Sequence, residues 1–133
     1  MWSRRAKTGA IGLLVLAATA GALAYGQMQH RAKQKAIQLT GGHPAVGRKL
    51  MRQFGCAGCH TVSGVPGAVG QVGPPLDQMA ARVYIGGVMT NTPDNLVRWI
   101  VDPKAVNPRT AMPRTGIGEA EARHIAAYLY TLR

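Results

Sequence analysis

The sequence predicts an all-α fold, a long apolar helix followed by a small domain of three helices. Residues 9–26 form a run of eighteen positions without a charge. Three later segments carry helix signals, and the last two place apolar residues three and four apart. No segment shows the two-residue alternation of a half-buried strand.

Arg4, Arg5 and Lys7 precede the uncharged run. As a helix that run spans about 27 Å, close to the hydrocarbon thickness of a bilayer. Basic residues ahead of such a run keep that end cytoplasmic, which sends the rest of the chain to the periplasmic side of a bacterial inner membrane. Residues 1–26 are therefore expected to be a retained, single-pass membrane anchor. Ala22-Leu23-Ala24 also fits a small-x-small cleavage site, so a cleaved export signal is the alternative, although the run exceeds the usual signal core of about 7–15 residues. Residues 27–42, with Arg31, Lys33 and Lys35, read as a basic linker that starts helical and ends flexible at Thr40-Gly41-Gly42. His30 and His43 are read as solvated.

Residues 43–133 form the exported domain. Its first helix covers residues 45–54, and residues 61–87, rich in Gly and Pro, read as loop. The second helix opens at Thr92-Pro93-Asp94, where a capping hydroxyl precedes a proline in the first turn and an acid. It stops before Pro103 and offers Leu96, Trp99 and Ile100 as its apolar face. The third, residues 119–132, sets Ala122, Ile125, Ala126 and Leu129 on one stripe. Glu119 and Glu121 at its start and Arg133 at its end suit the helix dipole.

With one Phe, two Trp and four Tyr in 133 residues, the core is short of aromatic volume, and a domain this small needs a staple. Cys56-Ala57-Gly58-Cys59-His60 supplies one, because C-x-x-C-H is the sequence of covalent c-type haem attachment. Two thiols three residues apart add across the two vinyl groups of one porphyrin, and the adjacent histidine becomes the proximal iron ligand. A structural zinc site would need four ligands, and Cys56 and Cys59 are the only cysteines. A dithiol redox site would want a βαβ context, and a simple disulfide has no use for His60. One covalent haem c is the expected cofactor, and its assembly outside the cytoplasmic membrane agrees with export. Beyond residue 26 the chain has thirteen Lys and Arg against five acids, a net +8. The basic residues are spread rather than clustered, so the charge reads as a steering surface for an acidic redox partner and not as a nucleic-acid site.

The domain from His43 to Arg133 resembles class I cytochrome c, in which an attachment helix is crossed by the C-terminal helix. Gly47 matches the small residue at that crossing, with Ile125 and Tyr128 as its partners, while Met51 stands where the family has an aromatic. Gly73-Pro74-Pro75-Leu76 resembles the family's G-P-x-L, which implies that the Pro74 carbonyl accepts a hydrogen bond from His60. The resemblance further implies propionate pairing by Arg82 with Tyr84 as helper, an aromatic beside the haem at Trp99, and a propionate contact at Thr110.

Met112 lies in a stiff, non-helical strap, Val106-Asn107-Pro108-Arg109-Thr110-Ala111-Met112-Pro113, and matches the family's methionine loop. It is the expected second axial ligand, with Met79 and Met89 as fallbacks. His60 and Met112 together leave no open iron position, so the resemblance implies an electron carrier rather than an enzyme, with no small-molecule substrate. Residues 91–133 look especially like cytochrome c domains that accompany haem–copper terminal oxidases. That implies an oxidase as acceptor and a quinol–cytochrome c reductase or dehydrogenase as donor in a respiratory chain. The competing readings are a haem enzyme or gas sensor with an open distal site, and a fixed subunit of a larger oxidoreductase complex.

Overall fold

The computed structural model describes residues 4–133, and residues 1–3 of the expected anchor lie outside the described residues. The chain divides between Arg31 and Ala32 into two compact units.

Helix α1 (Arg4–Thr40) is continuous through that boundary. In the first unit its apolar side chains are exposed, Leu13, Leu14, Leu16 and Leu23 each by about 70%. The helix is long and apolar enough to cross a membrane. A helix stretch that is apolar all round and exposes those side chains fits a lipid environment better than water.

The second unit begins with the last turns of α1. Ala32, Ala36 and Thr40, each four residues on, are buried. The flexible end expected at Thr40-Gly41-Gly42 is instead an ordered helix stop. Gly41 adopts a positive φ of 69° and its N–H donates to the Ile37 carbonyl at 2.8 Å, the left-handed C-cap that glycine favours. The Thr40 hydroxyl donates to Ala36 O and accepts from Gly42 N–H.

Five further helices follow: α2 (Pro44–Gln53), α3 (Cys56–Cys59), α4 (Pro93–Val101), α5 (Pro103–Val106) and α6 (Glu119–Leu129). The three expected helices are present as α2, α4 and α6, the last shorter than expected because Tyr130 and Thr131 form a turn. A Cβ on Gly47 would overlap the His124 carbonyl, so glycine is what lets α2 cross α6 closely. Met51, 1% exposed, fills the core beside Ile125, Leu129 and, from α4, Leu96 and Ile100. Thr92 caps α4 by accepting from Asn95 N–H. Asp102 ends α4 and caps α5 through Ala105 N–H at 3.0 Å.

The short helices α3 and α5 are not among the expected three, and α5 draws Val106, the first residue of the expected non-helical strap, into a helix. A small hairpin is unexpected as well. β1 (Tyr84–Ile85) and β2 (Met89–Thr90) pair antiparallel, Tyr84 opposite Thr90 and Ile85 opposite Met89. Gly86 and Gly87 both have positive φ at the turn, which Gly-Gly between apolar residues signals. At two residues per strand, the alternation is too brief to register as a pattern. The fold remains all-α in class.

Candidate haem-binding cavity

Gly55, with φ 76°, breaks the chain out of α2. The next four residues make the single turn α3, which sets Cys56 and Cys59 one turn apart. His60 closes that turn, its N–H donating to Cys56 O at 3.0 Å. Both thiols are free, and burial pushes the Cys56 thiol above its ordinary pKa.

The loop after His60 folds back over the turn. Gly73 N–H donates to Cys59 O at 2.8 Å, and Leu76 N–H to Thr61 O at 2.9 Å. His60 Nδ1 lies 2.7 Å from the Pro74 carbonyl. That geometry makes Nδ1 the protonated nitrogen and leaves Nε2 with its lone pair, the form a metal requires. A Cβ on Gly73 would overlap the His60 ring. Glycine is therefore needed so that the loop can press against the imidazole.

These residues line a cavity of about 270 Å³, closed on the core side by Met51, Leu96, Ile100, Ile125 and Leu129. All nine residues singled out in the sequence lie on its wall: Cys56, Cys59, His60, Pro74, Arg82, Tyr84, Trp99, Thr110 and Met112. Neither His30 nor His43 does. His43 stacks on His124, ring centroids 5.7 Å apart, and its N–H donates to His124 Nδ1.

Several wall residues have partners of their own. Arg82 donates to the Pro75 carbonyl and, at 3.2 Å, to Asp77 O, so it braces the loop. Asn91 Nδ2 donates to Met79 O and Arg82 O, and the Tyr130 hydroxyl donates to Asn91 Oδ1. Burial pushes Tyr130 up to about 12. The Trp99 ring lies against Gly86, where a Cβ would come within 2.7 Å of it. The Thr110 hydroxyl accepts from Met112 N–H at 3.2 Å. Met79 also reaches the wall, but it is 4% exposed and part of the core.

The residues present suit a haem. The cavity is mainly apolar, two thiols and an imidazole with a prepared nitrogen face it, and Met112 adds a thioether. Thr115 also lines it, with a buried hydroxyl that has no hydrogen-bond partner among the described residues. Sequence reasoning missed Thr115, since a threonine in a loop carries no distinctive signal.

Residues 44–133 match the cytochrome c family. The chain belongs to that family. Its all-α class is that of a cytochrome c domain, and membership implies haem c as the cofactor type and electron transfer as the chemistry. The domain is also similar to cytochrome c oxidase subunit 2 of Alkalihalophilus pseudofirmus. The two are 32% identical over 88 residues, covering 65% of this chain and 25% of that protein. The chain thus spans about a quarter of that relative's length. No solved structure matches the chain.

Proposed function

We propose that this protein is a membrane-tethered, single-haem cytochrome c that passes electrons one at a time in a respiratory chain. The observation that carries the reading is the convergence of Cys56, Cys59, His60 and Met112 on one apolar cavity, with His60 Nδ1 already engaged by Pro74. A haem c bound there would supply a one-electron iron couple. Cys56 and Cys59 would hold it by thioethers. His60 offers Nε2, and the Pro74 carbonyl fixes its orientation and raises its basicity.

We assign Met112, over the fallbacks Met79 and Met89, as the second residue that would hold the iron. Met79 is 4% exposed and part of the core, and Met89 on β2 lies outside the cavity wall, whereas Met112 lines that wall from the strap. A soft thioether favours the reduced metal and raises the potential. With His60 and Met112 both holding the iron, no place would remain for a substrate, so the pair favours a carrier over an enzyme or gas sensor.

Residues 1–26 serve as the anchor, residues 27–42 as the connection, whose stretch from Ala32 packs into the second unit, and residues 43–133 as the domain, on the periplasmic side of a bacterial inner membrane. A terminal oxidase is the proposed acceptor, supported by the name of the relative that shares this domain. A quinol–cytochrome c reductase or dehydrogenase is the proposed donor.

The test is Met112→Ala in the full chain, with the thioethers intact. The potential is expected to fall and carbon monoxide to bind without denaturant. An unchanged potential with no new ligand binding moves the axial role to Met79 or Met89. Carbon monoxide binding to the native protein would favour the enzyme or sensor reading.

A further inference from the structure

The strap bearing Met112 has almost no main-chain support. From Ala111 to Ile117 no main-chain group bonds to another main-chain group among the described residues. Ile117, 4% exposed, roots its far end in the core. Two side chains from the α5 region supply its polar ties to other elements.

Lys104 Nζ donates to the Thr110 carbonyl, and lies 3.5 Å from Pro108 O. Arg114 grips Asp102 with both arms of its guanidinium, Nε to Oδ1 at 2.7 Å and Nη2 to Oδ2. The two pinned residues, Thr110 and Arg114, stand two before and two after Met112. Asp102 is itself held, because its Oδ1 also caps α5 through Ala105 N–H. Pro103 beside it is buried. A bidentate arginine–carboxylate pair fixes direction as well as distance.

We propose that Asp102, Lys104 and Arg114 are positioning residues for Met112. They clamp the strap on both sides of the methionine, so that its thioether stays at the cavity and outside ligands are kept from its place. The proposal rests on the axial assignment of Met112 made above. Since the clamp is exposed, with Arg114 64% accessible, salt should weaken it.

The experiment uses the full-length holoprotein in detergent and three variants: Asp102→Asn, Arg114→Gln and the double substitution. Asparagine keeps a capping oxygen for α5, and Arg114→Gln leaves that cap untouched. Imidazole affinity is read by absorbance titration, the sulfur-to-iron band reports the methionine bond, and circular dichroism reports helix content. Each single variant is expected to bind imidazole roughly fivefold more tightly, the scale of an exposed ion pair. The double variant should go no further than either single one, because both act through the same pair. Rising salt should tighten imidazole binding to the native protein and leave the variants unmoved.

Unchanged imidazole affinity in both single variants overturns the proposal. So do additive effects, and so does loss of helix content in step with any change in ligand binding. Absence of the sulfur-to-iron band from the native protein, with imidazole binding equal to that of Met112→Ala, would instead overturn the axial assignment.

Discussion

His60 and Met112 reach the same cavity from segments of opposite construction. His60 closes a helical turn, accepts the pressure of a glycine against its ring, and shares its Nδ1 proton with a carbonyl of a loop that is itself hydrogen-bonded back to that turn. Met112 sits in a strap with no ladder of main-chain bonds, held by side chains from one short helix. The histidine side is built into the backbone, so altering it disturbs folding. The methionine side is held by groups that water and salt can reach, so altering it should change ligand exchange while the fold persists. On the proposed assignment, one cavity would combine a permanent attachment with an adjustable one.

The sharpest way to break this contrast is at the attachment itself. Replacing Cys56 and Cys59 together with Ser should cost the haem and, with it, cooperative folding, because a domain so poor in aromatics depends on the cofactor for core volume. Haem absorbance and circular dichroism measure both. A folded, colourless double variant would remove the basis for the histidine side being structural.

Gly73→Ala comes next. The added methyl meets the His60 ring, and overpacking of this kind costs about 1–3 kcal/mol, readable in denaturant unfolding. Arg114→Gln, by contrast, should leave the unfolding midpoint nearly in place. Equal midpoint losses in the two variants would erase the distinction.

The smallest effect concerns the bracing of the loop that carries Arg82. Tyr130, bonded to Asn91, keeps its proton up to about 12 in the folded chain against 10.0 when unfolded. Between those values the unfolded state releases a proton that the folded state retains, so stability falls as pH rises from 10 to 12. Tyr130→Phe should flatten that fall in pH-dependent unfolding.

The same contrast governs what was legible in the sequence. Cys56, Cys59, His60, Gly73 and Pro74 were found because backbone-built geometry requires fixed residue types at fixed spacing. A glycine against a ring or a proline carbonyl at a nitrogen leaves a motif. The helices α2, α4 and α6 were legible through their proline starts and apolar stripes. The Asp102–Arg114 pair leaves no such trace, since a salt bridge across an irregular loop has no required separation. The β1–β2 hairpin escaped because two-residue strands are too short to alternate. The end of α1 was read as flexible because Thr40-Gly41-Gly42 looks like a loop by composition, whereas one left-handed glycine made it a cap.

That cap bears on how the domain would be isolated. Ala32, Ala36 and Thr40 are buried in the unit that continues to Arg133. Arg123 of α6 donates to the Thr40 carbonyl, and Gly42 lies so close to the Arg123 carbonyl that a Cβ would overlap it. A protease meeting Gly41-Gly42 finds a helix terminator pressed against a neighbour, not a hinge. A soluble fragment trimmed to the attachment motif would leave part of its own packing behind, whereas one that starts ahead of Ala32 would carry the domain whole.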